Sequence, residues 1–186
     1  LPVDALREAA DLGLAGIYID DKLGGTGLGR LDAALIFEEL STACPSTAAF
    51  LSIHNMAAWM ISKYGTKYQH ETILSKLISM DFIASYCLTE PGSGSDSSSL
   101  STSAKKEGDF YIVNGTKSFI SGASLSDIYL TMVRTADKGS SGISCLIIEK
   151  GSEGLSFGKL ENKMGWNSQP TAQVIYENCK VPIKNL

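Results

Sequence analysis

The sequence has little that would commit it to a membrane, a nucleic acid or a metal. Its most apolar segment, residues 46–61, carries Phe50, Ile53, Met56, Trp59 and Met60. It is interrupted by Ser52, His54 and Asn55 and falls short of the roughly 20 residues needed to span a bilayer. Basic charge is not in excess: 16 Lys and Arg stand against 20 Asp and Glu, for a net −4, which argues against a general nucleic-acid binder. An anionic ligand would have to be held by local donors. The four cysteines, Cys44, Cys87, Cys145 and Cys179, are scattered with no CxxC pair, and His54 and His70 are too far apart for a local metal motif. They read as reduced, small apolar residues in a reducing compartment, with no disulfide framework and no metal. The chain opens on Leu1-Pro2-Val3-Asp4-Ala5-Leu6 without Met or a basic leader, and it reads as trimmed at both ends.

What is present changes character near residue 80. Before it the apolar spacing is helical. Val3, Leu6, Ala9, Ala10 and Leu12 mark a helix over 2–12 with Gly13 at its end, and Leu31, Ala34, Leu35 and Leu40 mark another over 31–43. Residues 46–61 are apolar on nearly every side, as a central buried helix is. Thr66-Lys67-Tyr68-Gln69 has the form of a capping box at the start of one more. After residue 80 the period becomes two. Strands are predicted at 82–88 and 110–113, with Asn114-Gly115 as a tight hairpin turn into 116–120, and again at 127–134, 142–149 and 172–177. The resulting expectation is an α+β chain: an all-α helical domain over 1–80, then a β-barrel or sandwich domain over 81–186.

Two glycine-rich stretches invite a nucleotide-binding reading, and both fail the usual templates. Gly24-Gly25-Thr26-Gly27-Leu28-Gly29 lacks the GxGxxG spacing and lies between helices, so it reads as a flexible interhelical loop. Thr89-Glu90-Pro91-Gly92-Ser93-Gly94-Ser95-Asp96 has no P-loop Lys-Ser/Thr, but it follows a strand directly and concentrates hydroxyls and open backbone N–H groups. Such a loop can approach a planar ring or a phosphate, or it can be a mobile polar hairpin; the residues alone leave both open. Glu90 and Asp96 are better suited to bonding backbone N–H groups in this turn than to serving as a catalytic pair.

Residues 87–99, Cys-Leu-Thr-Glu-Pro-Gly-Ser-Gly-Ser-Asp-Ser-Ser-Ser, resemble the signature that opens the middle β-domain of acyl-CoA dehydrogenases. Asn114-Gly115-Thr116-Lys117-Ser118-Phe119-Ile120-Ser121 resembles the NG-x-K-x-aromatic-I-Ser/Thr segment of the same family. Gly165-Trp166-Asn167-Ser168-Gln169-Pro170-Thr171 is similar to the isobutyryl-CoA branch. The resemblance implies an FAD flavoprotein that dehydrogenates a short branched acyl-CoA between its α and β carbons, passing electrons to electron-transferring flavoprotein. It also implies a homotetramer in the mitochondrial matrix. By this resemblance the cofactor would lie against Tyr86, Cys87, Leu88, Thr89, Gly94, Ser95, Phe119, Ile120 and Ser121. Thr89 would face the pyrimidine end of the flavin, Phe119 would stack on the face away from substrate, and Ser121 would donate toward the N5 edge. Ser95 would also meet the acyl-CoA. Phe119 stands where the wider family more often has Trp.

Each role has a plainer counterpart: Tyr86 and Phe119 as strand aromatics in a core, Thr89 and Ser121 as turn hydroxyls bonding their own backbone. The family's catalytic glutamate belongs to a C-terminal helical domain, and no residue here matches its motif. The expectation is therefore that these 186 residues carry no catalytic base and are inactive alone. A straight short-chain or other short-branched dehydrogenase, and a flavin- or acyl-CoA-binding module without redox work, are the alternatives.

Overall fold

The computed structural model describes residues 1–136 and 139–186, which divide into two compact units. One comprises Leu1–Ala84 with Asn162–Gln169; the other comprises Ser85–Glu161 with Pro170–Leu186.

The first unit is helical. Helix α1, Val3–Asp11, buries Leu6 and is closed by Gly13 N–H to Ala10 O (2.8 Å) and Leu14 N–H to Ala9 O (3.0 Å). This is the paired C-terminal cap that satisfies carbonyls a helix end leaves free. Helix α2, Arg30–Ala43, forms as expected but turns a different face inward. Leu31 and Leu35 are 74% and 57% exposed, whereas Ala33 is buried and Ile36, Phe37 and Leu40 are partly buried. Those four positions follow the i, i+3, i+4, i+7 spacing, whereas the stripe begun by Leu31, Ala34 and Leu35 meets Glu38 at i+7, and packing selects the complete stripe.

Helix α3, Pro45–Tyr64, is the core of this unit, with Phe50, Leu51, Ala57 and Ala58 at most 2% exposed. Each such burial contributes roughly 1.5–3 kcal/mol for the larger side chains. Helix α4 starts at the Thr66–Gln69 capping box, where the Thr66 N–H donates to Gln69 Oε1 (2.8 Å) and the Gln69 N–H to Thr66 Oγ1 (3.2 Å). It runs through Lys67–Gln69, widens into a π-turn at His70–Leu74 and ends in Ser75–Ile78.

The glycine-rich stretch 24–29 is not a loose loop. Thr26 Oγ1 donates to Ile17 O (2.8 Å), and a Cβ on Gly25 would lie 2.2 Å from the Ile19 carbonyl oxygen. Gly25 permits this close backbone approach. From α3, Asn55 completes the arrangement: its side chain accepts from the Ile17 N–H (2.8 Å) and donates to Leu14 O (2.8 Å) and Leu51 O (3.0 Å).

The second unit is a curled seven-stranded sheet. Its strands are β1 (Ala84–Cys87), β2 (Ser103–Glu107), β3 (Phe110–Ser121), β4 (Ile128–Arg134), β5 (Ile143–Glu149), β6 (Leu155–Phe157) and β7 (Thr171–Pro182). They run in the order β1-β4-β2-β3-β7-β6, with β5 paired to β4. Val113, Tyr129, Leu146, Ile148, Val174 and Tyr176 lie at its core.

The predicted turn at Asn114-Gly115 does not exist: β3 runs through it as one twelve-residue strand. The hairpin turn falls at Gly108-Asp109, between the paired Glu107 and Phe110, with Gly108 at φ 56°. Asn114-Gly115 instead marks a register shift against β7 between Val113 and Gly115. A Cβ on Gly115 would come within 2.5 Å of Thr102 Oγ1 and 2.7 Å of Thr102 Cα, so that glycine answers to a neighbouring backbone. Strands β2 and β6 escape a reading by β-branched content, since Ser-Ala-Lys-Lys-Glu and Leu-Ser-Phe show little of it.

Candidate functional site

The residues singled out by sequence fall on two segments of the sheet unit: β1 with the loop that follows it, and the last third of β3. Along the sheet these strands are separated by β4 and β2. Three contacts outside the ladder nevertheless join them. Ser85 Oγ donates to Ser121 O (2.6 Å), the Ser118 N–H donates to Thr89 O (2.7 Å), and Lys117 Nζ donates to Leu88 O (3.0 Å).

An irregularity in β3 makes this possible. Lys117 pairs with Val174 and Ile120 with Ala172, so β3 carries one extra residue between them. Such a bulge breaks the in–out alternation and re-aims side chains. Lys117 and Ser118 are both buried in succession, and the Ser118 N–H turns toward Thr89. Phe119 is turned outward at φ 58° and is 69% exposed. An aromatic residue with positive φ and an exposed ring is unusual on both counts, and such strain concentrates at functional sites. The reading of Phe119 as a core aromatic is therefore excluded. Ile120 is buried and Ser121 half-buried.

On the β1 side, Cys87 is fully buried, while Tyr86, Leu88 and Thr89 are half-buried. Burial pushes the Cys87 thiol up to about 12, so it stays protonated and apolar. Cys145 is likewise raised to about 12 and Cys179 to about 11, again by burial. Cys44 differs, its thiol being lowered chiefly by the hydrogen bond from Thr47. Gly94 and Ser95 are exposed, and a Cβ built on Gly92 or Gly94 would meet nothing within 4 Å. These two glycines leave space in front of the loop, unlike Gly25 and Gly115.

Glu90 bonds the backbone, as its place in the turn suggests. Oε2 accepts from the Ser101 N–H (2.7 Å) and Ser101 Oγ (2.8 Å), and Oε1 from the Thr102 N–H (2.9 Å). The sequence reading missed its fourth partner: Lys117 Nζ at 2.8 Å, with both side chains essentially buried. Burial alone would raise the Glu90 carboxyl, but these bonds, led by that from Lys117, outweigh it and hold it down to about 2. Burial in turn lowers the Lys117 ammonium, against the pull of Glu90. A signal was available, because a Lys at an inward position of an apolar strand demands a carboxylate. Asp96 accepts from Ser98 Oγ (2.6 Å) and from Ser99 Oγ, which lowers its carboxyl.

The arrangement is an open, hydroxyl-lined loop beside an outward aromatic ring on a rigid sheet. That suits a flat conjugated ligand: Phe119 offers an apolar face, and the loop offers donors with no side chain obstructing Gly92 or Gly94. Among the described residues no group of three His, Cys, Asp or Glu is placed to hold a metal ion.

A helical unit feeding a curled sheet with such a loop is the pattern of the two leading domains of a flavoprotein dehydrogenase. Residues 1–81 match the family described as acyl-CoA dehydrogenase, N-terminal domain, and residues 85–179 match acyl-CoA dehydrogenase, middle domain. The chain belongs to the acyl-CoA dehydrogenase family. It is 60% identical over its whole length to the mitochondrial isobutyryl-CoA dehydrogenase of Dictyostelium discoideum, covering 45% of that protein. It is 55% identical over 99% of its length to the mitochondrial isobutyryl-CoA dehydrogenase of Bos taurus, covering 44% of that protein. The fold is similar to glutaryl-CoA dehydrogenase from Mycobacterium smegmatis in complex with FADH2, with a TM-score of 0.91 and 25% identity over 100% of this chain and 47% of that one. The chain thus spans a little under half the length of the relatives it matches, and the similar glutaryl-CoA dehydrogenase structure holds FADH2.

Proposed function

We propose that these residues are the N-terminal and middle portion of an FAD-dependent acyl-CoA dehydrogenase whose substrate is isobutyryl-CoA, oxidised to methacrylyl-CoA. The observation that carries the flavin reading is the bulge in β3, which turns Phe119 outward while the Ser118 N–H ties that point to Thr89. The choice of isobutyryl-CoA over a straight short chain is supported by the identity to the two relatives above.

FAD, when bound, supplies the acceptor for the hydride that leaves the β-carbon. The chain's own residues hold and orient it. Phe119 covers one face of the ring system, and the hydroxyls of Thr89 and Ser121 offer donors to its polar edge. Tyr86, Cys87, Leu88, Gly94 and Ile120 shape the surrounding wall. Ser95, exposed at the loop's tip, contacts flavin and acyl-CoA together. Donors fixed before reaction stabilise charge as it develops, with little reorganisation. Glu90 is unsuited to removing the α-proton: it is held near pKa 2 and its oxygens are taken by four donors. That base is expected from outside these 186 residues. Electron-transferring flavoprotein, a tetrameric assembly and the mitochondrial matrix complete the reading, the last supported by the location in the relatives' names.

The test is reconstitution of the full-length protein with FAD, followed by turnover assays on isobutyryl-CoA, butyryl-CoA and 2-methylbutyryl-CoA with electron-transferring flavoprotein as acceptor. Highest kcat/KM on isobutyryl-CoA is expected. Preference for another acyl chain sinks the substrate assignment, and failure to bind FAD sinks the flavin reading.

A further inference from the structure

The Glu90–Lys117 ion pair lies directly behind the site, yet none of the roles above uses it. Its side chains are 3% and 0% exposed. A buried ion pair is a poor source of stability, because desolving both charges costs as much as their attraction returns; well-packed apolar replacements are often neutral or better. What such a pair can supply is location.

The geometry shows three segments meeting at it. The Glu90 carboxylate reaches eleven and twelve residues ahead to Ser101 and Thr102, closing the base of the loop over 91–100. Inside that loop Glu90 and Ser93 exchange backbone bonds (3.0 and 3.1 Å), and Ser93 Oγ donates to Asp96 O (2.7 Å). Lys117, two residues before Phe119, then fastens the closed loop to β3 through Glu90 and also holds Leu88 O, in the residue that follows β1. A Cβ on Gly92 or Gly94 would meet nothing within 4 Å. Arg134 holds the far end of the loop, donating to Ser98 O (2.7 Å) and Leu100 O (3.0 Å), and Glu90 with Lys117 holds its base.

We propose that Glu90 and Lys117 are a positioning pair that fixes residues 88–95 and 119–121 as one pre-formed surface, without either residue touching the reactants. The purpose of that surface rests on the flavin reading; its geometry does not.

The experiment compares the full-length protein with its Glu90→Gln/Lys117→Met double variant, in which neither charge is left stranded. Far-UV circular dichroism and Tm check the fold, amide hydrogen exchange follows residues 91–100 and 118–121, and flavin fluorescence gives the Kd for FAD. The expected result is an unchanged fold with exchange in 91–100 and 118–121 faster by on the order of tenfold or more, other strands keeping their protection. FAD affinity should fall by on the order of tenfold or more, as for a site whose supporting residues are loosened. A folded double variant with wild-type exchange in these segments and wild-type FAD affinity overturns the proposal. So does an equal rise in exchange across all strands, which marks a purely structural role. Should the double variant not fold, Lys117→Arg, which keeps the charge but not its place, is expected to lower FAD affinity at unchanged Tm; wild-type affinity there overturns the proposal as well. If the wild-type protein binds no FAD, the flavin reading fails, and exchange in 91–100 still decides the role of the pair.

Discussion

The helical unit and the sheet unit both bury neutral polar side chains, but among the described residues the sheet unit also buries a charged pair. In the helices the buried polar groups are neutral. Asn55 bonds three backbone groups, and His54 lies between the Ala84 N–H, which reaches Nδ1 at 3.2 Å, and Leu77 O, 2.9 Å from Nε2. The Ala84 N–H requires Nδ1 to accept, which leaves Nε2 to carry the proton and donate. In the sheet the buried polar pair is charged, Glu90 with Lys117. Neutral groups here satisfy irregular backbone between helices, whereas the ionic pair sits beneath the exposed loop and Phe119. The chain accepts the larger desolvation cost where the candidate site is, and not where only a frame is needed.

Breaking the ion pair on one side should have the largest effect. Lys117→Met leaves the Glu90 carboxylate buried without its cation and is expected to cost about 3–5 kcal/mol in chemical denaturation. A cost below about 1 kcal/mol would mean that water reaches Glu90 and the contrast between the units is false. On the helical side, Asn55→Ala strands the Ile17 N–H and the Leu14 carbonyl. Removing one partner of a buried bond costs about 1–3 kcal/mol, and this change belongs at the upper end. Both tryptophans, Trp59 and Trp166, belong to the helical unit, so their fluorescence follows its unfolding.

Acid separates the two kinds of polar group more finely. Burial holds His54 near pKa 4 in the folded state, below its ordinary 6.5. Its contribution is therefore complete above about pH 6.5 and is lost as pH falls toward 4, on the order of 2 kcal/mol of it by pH 5. Glu90, depressed to about 2 from its ordinary 4.5, keeps its full contribution above that ordinary value and loses it progressively as pH falls from there to 2. Stability followed from pH 7 to 3 should decline first with His54, and His54→Gln should remove the decline between 6.5 and 4. An unchanged profile would reject this assignment. The smallest expected effect is at the capping box, where Thr66→Ala should cost about 1 kcal/mol, read as a Tm shift.

Much of the helical unit was legible from spacing and caps, because both act over three or four residues; Gly13, Thr66 and Gln69 end up where their chemistry places them. At α2 the expected stripe of Leu31, Ala34 and Leu35 breaks at Glu38, while Ala33, Ile36, Phe37 and Leu40 complete the spacing and pack, so the face was legible and was misassigned. In the sheet, Asn114-Gly115 carries the strongest short-range hairpin signal yet lies in mid-strand, since Gly115 is needed against Thr102, a residue no local window sees. The candidate site was legible as a motif and not as a mechanism of assembly. Ser85, Ser118 and Lys117 join segments about thirty residues apart, and the bulge that turns Phe119 outward has no signature in the six residues around it.

The sheet's own layout bears on how fast it can form. Strand β2 joins β4 through a single parallel pair, Ser103 with Arg134, which links the antiparallel run β2–β3–β7–β6 to the antiparallel pair β4–β5. The hairpins β2–β3 and β4–β5 join near neighbours in the chain, while β3–β7 must bring Phe110 to Pro182. Local pairings close cheaply and distant ones wait on loop entropy. The two hairpins should thus assemble early and separately, and refolding should be limited by the arrival of β7, whose pairing with β3 spans both sides of the bulge.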